Sequence, residues 1–172
     1  MNAAFLATES LQHYGDYLAY RFDGRDYYAK GQLHFAAQLS RVLHDRGVRP
    51  NDPVVVLMPN CPETLACFQA VWRLGAVITP ITPQLGGKEI GYVLNHSEAA
   101  VIVTVPTLVP RVEEAWADAP SLKHLLVFGV SDSAQAQNIL PETLQAHAVE
   151  KVAVCRPRFC DEFDQGKPVR PR

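Results

Sequence analysis

The spacing of apolar residues changes period several times along the chain, and each change marks an element. Tyr17 to Phe22 alternates apolar and polar side chains, the period of a half-buried strand. Asp23-Gly24 follows and reads as a tight hairpin turn, because Gly accepts the positive φ that such turns require. Arg25 to Tyr28 is then the returning strand. From Ala29 to Arg46 the period becomes helical: Leu33, Ala36, Ala37, Ser40 and Leu43 share one face, with Phe35, Leu39 and Val42 beside it. Gly47 closes that helix, and Pro50 prevents its continuation. Ahead of the hairpin, Ala3 to Gln12 reads as a short helix.

Past the turn Asn51-Asp52-Pro53 the pattern becomes a regular alternation of short apolar runs and helical segments. Val54 to Met58 is apolar throughout, as expected of a strand covered on both faces. Pro62 suits the first turn of a helix, and Glu63 lies near its positive end. Leu65, Cys67, Phe68, Val71, Trp72 and Leu74 cover more than one face of that helix, which predicts that it is largely buried. Gly75 ends it, and Ala76 to Thr79 is the next strand. Thr82 to Gly87 is a loop, and Lys88 to His96 a helix with Ile90, Val93 and Leu94 inward. Ala100 to Val105 is a buried strand, Pro106 to Ala117 holds a helix, and His124 to Phe128 is a further strand. This β-α-β-α-β-α-β order predicts an α/β fold, a mostly parallel sheet with helices on both faces, preceded by an N-terminal helix and β-hairpin. The crossovers are expected to be right-handed. Strand order is left open.

After Gly129 the texture changes. Val130 to Asn138 is polar and loop-like, and Pro141 to Leu144 fits the start of one more short helix. Residues 150–172 mix basic, acidic and proline residues without a period, so a mobile tail is expected there, after an α/β unit over residues 1–149.

Composition narrows the function classes. The 172 residues are 48% apolar and 20% charged, as in soluble globular proteins. A net charge of -2 lacks the basic surplus that nucleic acids or anionic membrane surfaces need. No apolar run approaches the ~20 residues of a membrane span. The first residues lack the basic flank and apolar stretch of a signal peptide, and a cytoplasmic location is expected. Cys61, Cys67, Cys155 and Cys160 have neither C-x-x-C nor zinc-site spacing, and no two histidines are spaced as a helical metal pair.

Candidate chemistry is thin. The strand–turn–helix at Pro59-Asn60-Cys61-Pro62-Glu63 stands where many enzymes hold a nucleotide. A phosphate turn needs converging backbone N–H groups and usually glycines. This turn has no glycine, its two prolines have no N–H, and Glu63 would repel a phosphate, so it reads as scaffold. The chain contains no G-x-G-x-x-G or P-loop pattern. Glu113-Glu114 reads as a solvated helix face rather than a general acid and base. His34 and His44 sit on the long helix and read as surface or half-buried, and His96 lies near a helix C-terminus, where the dipole mildly favours a cation. Tyr17, Tyr20, Tyr27 and Tyr28 cluster at the hairpin and suit half-exposed strands better than a binding platform. No catalytic, cofactor-binding or metal-binding residue is assigned.

The order of pieces nevertheless resembles a family. Arg25-Asp26-Tyr27-Tyr28 leads into the helix closed by Arg46-Gly47-Val48, then come Asn51 to Val56 and Pro59 to Glu63. Leu74-Gly75-Ala76-Val77, Thr79 to Pro83, Lys88 to Leu94 and Ser97 to Ala100 follow. Over residues 11–130 the series resembles the N-terminal part of the AMP-forming acyl-CoA synthetases, within the adenylate-forming ligase superfamily. The resemblance implies activation of a carboxylic acid with ATP and Mg²⁺ to an acyl-adenylate, then transfer to coenzyme A. It leaves the acid undetermined. The family's phosphate loop, rich in Ser, Thr and Gly, is expected just beyond Val154. Here only Gly166-Lys167-Pro168 echoes its end, and no later nucleotide motif or catalytic lysine follows. No functional residue therefore carries over, and this chain alone is expected to be inactive. The loss of family texture near Arg156 has two readings: a truncated or frameshifted reading frame, to be tested by sequencing downstream, or a chance echo of Gly-Lys-Pro within a poorly ordered tail. Half of a split ligase and a free-standing α/β binding or regulatory module are the alternatives. Uncovered apolar surface on the helix from Pro62 to Leu74 is expected to promote self-association.

Overall fold

The computed structural model describes residues 2–128 and the backbone of residues 152–154. Helix α1 (Ala3–Tyr14) starts at Asn2, whose side-chain oxygen accepts the Ala4 N–H at 2.9 Å and satisfies one of the helix's orphan donors. The Asn2 side-chain amide also donates to the Trp72 carbonyl, tying this helix start to α3. Strands β1 (Leu18–Phe22) and β2 (Arg25–Tyr28) form the expected antiparallel hairpin. Its turn residues Asp23 and Gly24 both have positive φ, 49° and 73°, as a two-residue primed turn demands. Tyr20 and Tyr27 stack across it with ring centroids 5.1 Å apart, and Arg21 pairs with Asp26. That ion pair lies in solvent and adds little stability.

The remaining elements alternate. They are α2 (Ala29–Asp45), β3 (Pro53–Leu57), α3 (Pro62–Arg73), β4 (Val77–Ile81) and α4 (Gly87–Ser97). Then come β5 (Val101–Thr104), a 3₁₀ turn (Pro106–Leu108), α5 (Val109–Trp116), β6 (His124–Phe128) and β7 (Val152–Val154). The sheet is parallel throughout, in the order β4-β3-β5-β6-β7. The chain leaves β3 outward to β4, then crosses back over β3 to β5. Helices consequently cover both faces.

Successive side chains of a strand point to opposite faces, and the core divides accordingly. Val54, Val56, Val101, Val103, Leu126 and Phe128 pack with residues of α2 and α3. Val55, Leu57, Ile102, Leu125 and Val127 pack with residues of α4 and α5. This is why β3, β5 and β6 read as unbroken apolar runs.

α4 lies close against α5 because Gly87 and Gly91 face it. A Cβ on Gly87 would fall 2.4 Å from Glu114 Cβ, and one on Gly91 would fall 2.9 Å from Asp118 Cβ. Only residues without a side chain permit that approach.

Two readings change. α3 is fully buried along one stripe and only partly covered around the rest. Ala66, Cys67, Ala70 and Val71 form one buried stripe, while Leu65 is 46% exposed and Phe68 and Trp72 are half-buried. The helix packs on the sheet and against α1 and α2, and its exposed residues are Leu65 and Arg73. Within the stretch read as irregular, Val152–Val154 adds a strand beside β6. Three residues are too few to show a period. The loop at Val130 to Asn138, the helix start at Pro141 to Leu144 and the rest of the tail lie outside the described residues.

Candidate functional site

In an open parallel sheet the ligand crevice lies beyond the carboxyl ends of the strands, where strand order reverses. Here the reversal falls between β3 and β5, so the loops after Leu57 and after Thr104 flank it. The loop after β4, 82–86, lies at the same edge.

Thr104 is the fully buried polar side chain of the described core. Its hydroxyl donates to the Leu57 carbonyl at 2.8 Å. A buried hydroxyl must be paired, and this one is paired across the reversal point itself. The two strand ends are thus tied to each other, and the hydroxyl proton is held by the scaffold.

The turn from Pro59 into α3 is closed in the same way. Thr64 Oγ1 donates to the Pro59 carbonyl at 2.7 Å. Its oxygen lies 3.3 Å from Cys61 Sγ, so with the Thr64 proton directed at Pro59 the thiol is the donor of that pair. Burial raises the Cys61 thiol pKa above the ordinary value, and the hydrogen bond to Thr64 only partly opposes it. The protonated thiol is a weak nucleophile. Cys67 is fully buried, with Met58 Sδ at 3.8 Å, and burial pushes its thiol well above the usual range.

Could these turns hold a nucleotide phosphate? At the start of α3, Pro62 supplies no N–H and Glu63 already places a negative charge on the helix's positive end. At the start of α4, the Glu89 carboxylate accepts the Gly86 N–H at 2.7 Å, so the chain's own anion fills that position. The 3₁₀ turn begins with Pro106, and Pro110 is the second residue of α5, so each start lacks an N–H. Among the described residues, the helix starts at this edge do not fit a phosphate.

The other sequence candidates separate. Glu113 is half-buried, its Oε1 has no hydrogen-bond partner among the described residues, and burial raises its pKa. Glu114 is exposed and packs its stem toward Gly87, so the two carboxylates do not work as a pair. His34 Nε2 contacts Gln38 on the exposed side of α2, His44 contacts Asp45, and His96 stacks on exposed Tyr92. Tyr14 and Tyr17 meet edge to face near the hairpin. No cluster of metal-ligating side chains occurs among the described residues. Cys155, Cys160 and Gly166-Lys167-Pro168 lie outside them.

Sequence reasoning missed one organising residue. Arg111, near the start of α5, donates through Nη1 to the Pro83 carbonyl and, at 3.2 Å, to the Leu85 carbonyl. It holds the loop after β4 against α5. A partner 26 to 28 positions away leaves no local pattern.

A family model described as AMP-binding enzyme matches residues 7–168, a span that includes Gly166-Lys167-Pro168. The chain is 29% identical over 114 residues to crotonobetaine/carnitine–CoA ligase of Escherichia coli O17:K52:H18, covering 61% of this chain and 22% of that protein. Among solved structures it is similar to the anthranilate CoA ligase AuaEII in complex with anthranoyl-AMP. That match has a TM-score of 0.72 and 24% identity, over 77% of this chain and 26% of the other. A putative long-chain-fatty-acid CoA ligase from Rhodopseudomonas palustris CGA009 gives 0.71 and 22%, over 90% and 39%. At such identities the structures speak for the fold alone. The chain spans about a fifth of the length of the curated relatives it matches. No helix among the described residues is long and apolar enough to cross a membrane.

Proposed function

The chain belongs to the AMP-binding enzyme family, and from that premise we propose that residues 1–149 are scaffold of an AMP-forming acyl-CoA ligase. In the whole enzyme they would support activation of a carboxylic acid by ATP and Mg²⁺ to an acyl-adenylate, and transfer of the acyl group to coenzyme A. The observation carrying this reading is the family match over residues 7–168, together with similarity to CoA ligases over 22% to 39% of their own chains.

The chemistry of this family rests on donors and metal aimed at the phosphates of ATP. The described turns offer none. Thr104, Thr64 and Glu89 direct their polar atoms into the scaffold, and the prolines withhold N–H groups. In this reading the described part builds the platform, and the chain by itself is expected to form no adenylate. Apolar surface at Phe5, Leu6 and Leu65 supports the further reading that the isolated chain self-associates.

The test is pyrophosphate release by the purified chain with ATP, Mg²⁺ and a panel of short, fatty and aromatic acids. Release at the level of the chain-free control is expected. Acid-dependent release above that control would overturn the scaffold reading.

A further inference from the structure

β4 is one edge of the sheet among the described residues, and it has the composition of an aggregation-prone strand. Val77-Ile78-Thr79-Pro80-Ile81 has no charge, and no charged residue lies between Arg73 and Lys88. Val77 is half exposed. Uncharged, β-branched edges recruit other strands unless something blocks them.

The register shows what the open side of β4 presents. Val77 pairs with Pro53, and its N–H donates to the Asp52 carbonyl at 2.9 Å. Backbone N–H and C=O of one residue point to the same side of a strand, and the side alternates along it. Val77, Thr79 and Ile81 therefore bond to β3. Ile78 and Pro80 turn their polar groups to the open edge. Pro80 has no N–H, so one of the two donors that an added strand would need is missing, and the ring stands in its place. Pro80 is exposed, so the ring is not there to fill the core.

We infer that Pro80 closes the β4 edge to pairing with a second copy of this chain. Any association of the chain then proceeds through side-chain surface and not through extension of the sheet. The inference does not depend on the ligase reading, because it uses only the register of β4 and β3.

The test compares the full chain with Pro80→Thr by light scattering after size exclusion, across a dilution series. Pro80→Thr restores the donor and keeps a strand-forming residue. It is expected to associate at concentrations at least tenfold lower than the parent, with unchanged far-UV circular dichroism. The double variant Ile78→Pro/Pro80→Thr removes the neighbouring donor and should return to parental behaviour. Equal association of Pro80→Thr and parent would overturn the inference, as would extra association that survives in the double variant. A second measurement needs no variant. The Ile78 amide of the parent should exchange with solvent rapidly even at concentrations where the chain associates. Protection of that amide on association would show the edge pairing despite Pro80, and would equally overturn it.

Discussion

Gly87→Ala and Gly31→Ala are the same chemical change in the first turn of a helix, yet opposite effects on stability are expected. At Gly87 the new Cβ would lie 2.4 Å from Glu114 Cβ and 3.4 Å from the Glu114 carbonyl carbon. Carbon atoms rest about 3.5–4.0 Å apart, so α4 and α5 must separate by about 1 Å or the helices must tilt. Rotating the Glu114 side chain gives no relief, because its Cβ is fixed to the backbone. Overpacking of this kind costs about 1–3 kcal/mol. Alanine's helix propensity offsets at most about 1 kcal/mol. The net expectation is destabilisation by about 1–2 kcal/mol. At Gly31, in α2, a Cβ meets nothing within 4 Å and φ is not positive. There only the propensity and the reduced entropy of the unfolded chain remain, and stabilisation by up to about 1 kcal/mol follows. Urea unfolding followed by far-UV circular dichroism orders the three proteins by midpoint if the m-value is unchanged. The expected order is Gly31→Ala above parent above Gly87→Ala. A Gly87→Ala midpoint equal to or above the parent's would refute the close approach of α4 and α5.

Three further predictions concern the carboxyl edge of the sheet and the thiols. Thr104→Val keeps the shape but removes the donor to the Leu57 carbonyl, and should cost about 1–2 kcal/mol in the same urea assay, whereas a midpoint matching the parent would mean that the bond contributes nothing. Alkylation read peptide by peptide should label Cys67 only on unfolding and Cys61 more slowly than an unfolded thiol at neutral pH; labelling of Cys67 in the folded chain would contradict its burial. Because the folded Cys67 thiol titrates above its unfolded value, its contribution to stability is complete below about pH 8.5 and is lost as pH rises further. Urea midpoints should fall above that pH, and Cys67→Ala should flatten the fall.

Much of this protein is set by chemistry that acts within a few residues. The helical face of Leu39 and Leu43, the positive φ at Asp23-Gly24 and the stop at Gly47 follow from neighbours within one turn, and the structure has each of them where the pattern places it. The apolar runs of β3, β5 and β6 announce a strand covered on both faces, and the two cores are the consequence. Even the exclusion of phosphate from the Pro59 turn was local, because the missing N–H of a proline is covalent and no fold restores it. Tertiary structure alone decided the strand order β4-β3-β5-β6-β7, and with it the position of the reversal. It paired Thr104 with a carbonyl 47 residues away, fixed Arg111 on the loop after β4, and gave Gly87 and Gly91 a helix to approach. It also turned Pro80 toward an open edge. These depend on which segments meet in space, and a periodic pattern carries no information on that, because side-chain period reports the face a residue takes and not the partner it finds.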